Sequence, residues 1–308
     1  MTQIAERLDA SESLHIFSPT PGEVRFSYSK PDDSLLKRMA IRGIERLTGQ
    51  PRLERLYRQW SKAPQSGENI FQAAIRLMDV GVEHNEDALA AAPKEGPLLI
   101  VANHPFGVVD GLAIMALATS FRPDVKIMVH SLLCQPPETR DYLLPVDFGG
   151  TPEARTTSAL TRKRTVDWLE RGHCVVIFPA GGVATAQRPF KGQASDCVWH
   201  EFVARLTRVD GLKVLPIFFY GQNSRFFQLA SHVNYALRIA LLFRESARRM
   251  GSSIRVTVGT ATEGAFLPHA EGKKAVMQHL RRATYALGGI APEMADKEFI
   301  WPAHIDFD

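Results

Sequence analysis

Apolar residues recur along this chain in two rhythms. Short, nearly unbroken apolar runs at 97–102, 125–130, 174–178 and 212–220 read as buried strands. Residues 253–259 alternate apolar and polar, and 142–148 reads as a short further strand. Between these runs, 69–79, 110–120, 156–171, 198–208, 235–250 and 273–287 carry the helical period, and Gly172 stands where a helix end favours glycine. Alternation of this kind predicts an α/β fold: a central mostly parallel sheet flanked by helices. No internal repeat interrupts it.

The N-terminal part differs. Residues 1–34 are polar and broken by Pro19, Pro21 and Pro31. Residues 35–62 then carry Lys37, Arg38, Arg42, Arg46, Arg52, Arg55, Arg58 and Lys62 against only Glu45 and Glu54, a local balance of +6. Leu36, Ile44 and Leu47, then Leu53, Leu56, Tyr57 and Trp60, keep helical spacing on either side of Gly49 and Pro51. These features predict two basic amphipathic helices. Their apolar stripe has two uses, covering the main domain or docking on an anionic membrane surface with Tyr57 and Trp60 as anchors. The expected organisation is 1–65 for the polar segment and basic helices, 66–290 for the main domain and 291–308 for an irregular tail.

Composition narrows the class. With 45% hydrophobic and 23% charged residues among 308, the chain is an ordinary globular protein rather than a disordered or disulfide-built one. A net charge of +4 is too small to argue for nucleic acid, and no nucleic-acid partner is expected. Cys134, Cys174 and Cys197 are an odd, scattered set, which fits a reducing cytoplasm. The first residues lack the apolar core of a secretory signal, and no run approaches the about 18 apolar residues of a membrane span. The ten histidines form no metal-ligand pattern, so no metal is expected. Neither a G-x-S-x-G elbow nor a phosphate-binding glycine loop occurs.

Three segments carry chemistry. In the first, a strand runs into Asn103-His104-Pro-Phe-Gly107-Val-Val-Asp110, a strand-to-helix turn at the carboxyl end of a strand, where α/β sheets place ligands. A carboxylate on one imidazole nitrogen leaves the other free to take a proton from a hydroxyl, so His104 and Asp110 read as base and orienter. The plainer alternative makes Asp110 a helix cap. In the second, Phe178-Pro179-Ala-Gly181-Gly182 ends a strand, and its glycines let backbone amides approach a ligand or a developing oxyanion. In the third, Pro216 interrupts a strand, a sign of an edge or a bulge.

In this order and spacing, the three segments resemble the motifs of the glycerolipid (lysophospholipid) acyltransferase superfamily over roughly residues 95–225. The resemblance implies acyl transfer from acyl-CoA or acyl-carrier protein, as co-substrate rather than cofactor, to the hydroxyl of a membrane lyso-lipid. It implies peripheral work on the inner, cytoplasmic face of the membrane. Carried over, His104 is the general base, Asp110 orients it, and no acyl-enzyme is needed. Asn103, Gly107, Asp147, Phe178, Pro179, Gly181, Gly182 and Pro216 would then belong to substrate binding.

The departures point to a branch. Five residues separate His104 from Asp110, one more than in the family's commonest pattern, which resembles ornithine-lipid and hemolysin-like acyltransferases. Ala180 stands where the third motif has Glu, and Val183 stands near the place of an Arg in phosphatidate-forming members. Asp147 has no Arg directly after it. These changes argue for an acceptor other than lysophosphatidate, such as an amino-acid lipid. Arg188, Lys191 and Arg225 are the nearby cations available in substitution, though each taken singly reads more readily as a solvated surface charge than as a ligand contact. A thioesterase using the same pair on water, and a non-catalytic membrane-associated homologue, remain as alternatives.

Overall fold

The computed structural model describes residues 34–47, 49–130, 136–146 and 151–305. The readings made on residues 1–33, Cys134, Asp147, Phe148 and the last three residues lie outside the described residues. Among the described residues, one sheet runs in the order Gly81–Glu83 (β1), Ser253–Val258 (β9), Lys213–Phe219 (β8), Leu98–Ala102 (β2), Cys174–Ile177 (β5), Val125–His130 (β3) and Leu143–Val146 (β4). Thr262–Glu263 (β10) also pairs with β8, and a small hairpin of Thr185–Ala186 (β6) and Ala194–Ser195 (β7) stands apart. Within the main sheet only the β8–β9 and β8–β10 pairings are antiparallel. The mostly parallel sheet is therefore as the alternation predicts.

The helices are Leu35–Leu47 (α1), Gln50–Lys62 (α2), Ile70–Leu77 (α3), Glu86–Ala90 (α4), Val108–Phe121 (α5), Pro152–Glu170 (α6), Val203–Leu206 (α7), Arg225–Val233 (α8), Tyr235–Ala240 (α9), Leu242–Arg248 (α10), Lys273–Ala286 (α11) and Pro292–Ala295 (α12). Helices on both faces explain why every residue of β2 is apolar and buried. Leu98, Ile100 and Ala102 join one cluster with Phe71, Ile114 and Val256. Leu99 and Val101 join the other, with Leu169, Met277 and Leu280. The alternation is the two-residue period of a strand, and each such side chain contributes about 1.5–3 kcal/mol on burial.

The structure corrects several expectations. The 198–208 helix shrinks to α7, because the segment before it is held by other bonds: Asp196 accepts the Trp199 indole N–H, and His200 N–H donates to the Pro179 carbonyl. The 235–250 helix divides at Leu241 into α9 and α10. Pro216 lies on an interior strand and not at an edge. The proline is accommodated because the antiparallel partner changes there. β9 pairs with Ile217 to Phe219, β10 with Lys213 and Val214, and between them Gly259 N–H donates to the Pro216 carbonyl. The tail after residue 290 is partly ordered, with α12 and a buried Phe299 packed on the domain.

The basic hairpin also resolves. Trp60 is only 8% exposed and sits in the core, with Leu53, Leu56 and Tyr57 packed against it, so these are not membrane anchors. Tyr57 donates to Glu138. Gly49 turns α1 into α2 with φ 109°, and a Cβ there would fall 2.5 Å from Ala247 Cβ, so the turn presses on α10. Among the described residues no helix is long and apolar enough to cross a membrane.

At the amino end of the strands, buried Arg122 donates twice to Asp124 and also to the Gly96 and Gly172 carbonyls, while His173 meets Asp124 at 3.0 Å. Burial alone would raise the Asp124 pKa, but the hydrogen bonds from Arg122 and His173 hold it below the ordinary carboxylate value. Its contribution is therefore present above the unfolded pKa of about 3.9 and lost as pH falls through the folded value. Asp124→Ala should cost about 3 kcal/mol by leaving Arg122 buried and unpaired. Urea unfolding at pH 7 measures it, and the difference from wild type should narrow in acid.

Candidate active site

The site forms at the carboxyl ends of β2, β5 and β8. Asn103 ends β2 and pins it to β8: its Oδ1 accepts from Phe219 N–H at 2.7 Å and its Nδ2 donates to the Phe219 carbonyl at 2.9 Å. Both ends of this amide are thereby engaged by scaffold. The next residue, His104, is held on both sides of its backbone. Its N–H donates to Asp196 Oδ1 at 3.2 Å, and its carbonyl accepts from Ala184 N–H at 2.7 Å.

The imidazole is fixed as tightly. Nδ1 lies 3.0 Å from Asp110 Oδ2, and the ring stacks on Phe178 with centroids 4.0 Å apart. Asp110 is fully buried, and its Oδ2 also accepts the N–H groups of Phe106 and Gly107 at 2.8 and 3.0 Å. An ionised carboxylate only accepts, so Nδ1 carries the proton and Nε2 is left as the basic nitrogen. Asp110 is the third residue of α5, so the cap and the orienter are one carboxylate. Gly107 makes this possible with φ 86°, and a Cβ there would lie 3.0 Å from Val183 Cγ2. Among the described residues no hydroxyl or thiol bonds to His104. Cys174 lies at the opposite end of β5, where burial pushes its thiol up to about 12.

The second turn contributes backbone. Gly181 N–H is spent on the Phe178 carbonyl, whereas Gly182 N–H has no partner among the described residues. A Cβ on Gly182 would meet nothing within 4 Å, which leaves open space beside that amide. Pro179 closes the strand and accepts from His200. Arg188 and Lys191 are exposed on the loop between β6 and β7. Arg225 binds that loop, donating to the Pro189 and Gly192 carbonyls. Pro216 is not brought to the His104 turn; it pairs at the level of Val101 inside the sheet.

Sequence reasoning missed the braces behind His104. Asp196 is wholly buried, and burial raises its pKa against the pull of Arg281 and the Trp199 and His104 N–H groups. Its backbone carbonyl accepts from Arg281 and from Phe299 N–H. Arg281, itself buried, also donates to the carbonyls of Cys197, Ala295 and Lys297. On the other side, buried Arg238 donates to the Val183 carbonyl and to the hydroxyls of Thr185 and Ser231, with Trp301 over its guanidinium. It thereby fixes the segment whose Ala184 holds His104. Arg238 and Arg281 each interrupt an apolar helix face, the one signal of them in the sequence. Asp196 gave none.

Fold and site together define an α/β protein with a His–Asp pair at the carboxyl ends of its parallel strands, Asp110 buried and His104 partly exposed. The chain belongs to the Acyltransferase family, whose profile matches residues 33–289. It is 24% identical over 200 residues to a lyso-glycine lipid O-acyltransferase of Phocaeicola vulgatus, covering 63% of this chain and 68% of that one. It is 27% identical over 175 residues to a lyso-glycine lipid O-acyltransferase of Bacteroides thetaiotaomicron, covering 56% and 60%. The 1-acyl-sn-glycerophosphate acyltransferase PlsC of Thermotoga maritima superposes with a TM-score of 0.46 at 11% identity, over 85% of this chain and 84% of that one.

Asp196→Ala should strand the His104 and Trp199 N–H groups, at about 1–3 kcal/mol each. The expected result is a lower thermal midpoint together with a lower kcat. Loss of stability without loss of kcat in the folded fraction would show that the brace is not needed to position His104.

Proposed function

We propose that this protein transfers a fatty acyl group from an acyl thioester, of CoA or acyl-carrier protein, to the hydroxyl of a membrane lyso-lipid, with His104 as general base. The observation that carries the reading is the His104–Asp110 pair with Nε2 left basic. In the step, Nε2 takes the hydroxyl proton as the oxygen attacks the thioester carbon. The tetrahedral oxyanion faces the Gly182 N–H, the C–S bond breaks, and the departing thiolate takes the proton from His104. The acceptor we favour is an amino-acid lipid. The relatives' names support it, and the turn after β5 carries only the buried, apolar Ala180 and Val183 where a phosphate would call for charge.

Docking is proposed at the carboxyl end of the sheet. α1 exposes Leu35, Leu36 and Met39, with Leu36 at 80%, and α8 exposes Phe226, Leu229 and Val233 at helical spacing. α9 packs against both helices. Exposed Arg42, Arg46, Arg52, Arg55 and Arg58 lie on the same hairpin as the α1 residues. This surface supports peripheral binding to an anionic inner leaflet, with α1 and α8 in place of Tyr57 and Trp60.

Two experiments test the proposal. With lyso-lipids of several headgroups and both donors, read by mass spectrometry, His104→Ala should lower turnover by roughly 10²–10⁴-fold. Free fatty acid as the main product would indicate a thioesterase, and product unchanged by His104→Ala would remove the base. Vesicle flotation should show binding that weakens with salt. Neutralising Arg52, Arg55 and Arg58 should weaken it further, at about 1 kcal/mol per charge. Equal binding to neutral and anionic vesicles would count against the docking surface.

A further inference from the structure

Arg249 is placed unlike the other cations near the site. It follows α10, and its guanidinium lies 4.0 Å from the centroid of the Phe106 ring. Phe106 belongs to the His104 turn and gives its N–H to Asp110. One Arg249 Nη2 bond goes to the Gln222 carbonyl at 3.1 Å, which leaves other donors open. Among the described residues no carboxylate forms an ion pair with it. Glu245, one helical turn earlier, is taken by Arg244 and by the Ser224 backbone and hydroxyl. Burial lowers the Arg249 pKa, opposed by the charges of Glu245 and Asp110, yet an arginine stays ionised at neutral pH. A half-buried guanidinium with open donors and no carboxylate within ion-pair distance can take an anion on those donors.

We propose that Arg249 receives the carboxylate of the acyl acceptor, so that the substrate is a lyso-lipid whose amino-acid headgroup is joined through its nitrogen and keeps a free carboxylate. This rests on the acyl-transfer reading above and names its acceptor site. A guanidinium fork matches a carboxylate in two parallel hydrogen bonds. A phosphate dianion calls for clustered cations, whereas Arg248, beside Arg249, is exposed, as are Arg188 and Lys191. Held there, the headgroup would be anchored beside the turn that carries the base.

The test compares an N-(hydroxyacyl)glycine with its carboxamide, both as ligands in titrations of the purified chain and as acceptors in the transfer assay. Wild type should bind the carboxylate at least roughly 10-fold more tightly than the amide. Arg249→Met should remove about 10- to 100-fold of the carboxylate affinity, leaving the amide and the donor KM unchanged. Arg249→Lys, which keeps the charge over Phe106, should fall between. Equal binding of the two ligands by wild type would overturn the inference with no variant needed. So would a change confined to the donor KM, which would put a donor phosphate at Arg249. A fall in kcat on both acceptors with unchanged affinities would reduce Arg249 to a support for Phe106. Discrimination in binding without acyl product from either donor would sink the acyl-transfer reading and leave the carboxylate site standing.

Discussion

One carboxylate oxygen organises the turn that carries His104. Asp110 Oδ2 gathers His104 Nδ1 and the N–H groups of Phe106 and Gly107, so the bond that orients the imidazole also starts α5. Sharing one acceptor among three donors ties the ring to the helix start. The imidazole cannot rotate without breaking the helix start, and the helix cannot shift without turning the ring. Gly107 turns the chain between His104 and Asp110 with a positive φ, and Val183 and Leu242 crowd the side where a Cβ would lie.

Around this turn the protein spends buried polar groups where an apolar core would be simpler. Asp196, Arg238 and Arg281 are all buried, and each costs desolvation. Each has several hydrogen-bond partners, carbonyls and hydroxyls for the arginines and the His104 and Trp199 N–H groups for Asp196, which makes such burial tolerable. Their partners converge on the same backbone. Asp196 holds the His104 N–H, and Arg238 holds the residues flanking Ala184, which meets the His104 carbonyl. The segment after residue 289, beyond the family match, closes both braces through Phe299, Lys297 and Trp301. The tail is thus part of the support behind His104.

Charge divides along the same lines. Arg122, Arg238 and Arg281 count toward the net +4, but they act inside the molecule, on carbonyls, hydroxyls and, for Arg122, the Asp124 carboxylate. The N-terminal hairpin carries a dense run of exposed cations: Arg42, Arg46, Arg52, Arg55, Arg58 and Lys62. That hairpin serves two surfaces at once: α2 completes the core with Trp60, and α1 turns Leu36 and Met39 outward. Amphipathic pattern alone does not separate these uses, because a stripe facing a core and a stripe facing lipid have the same spacing.

The sequence by itself determined the longer strands, most of the longer helices, the parallel character of the sheet and the closeness of His104 and Asp110. Those features rest on local signals, namely apolar period, a buried run entering a turn, and two chemically matched side chains within one turn of each other. Only the tertiary structure decided the rest. Asp196, Arg238, Arg281 and the tail reach His104 through contacts between residues far apart in the chain, which no local period records. Pro216 in an interior strand and the shortened 198–208 helix have the same cause, since strand order and backbone partners from elsewhere override local propensity. Trp60 faces the core and Leu36 faces outward because of which helix packs against which, and that is settled when the chain closes on itself.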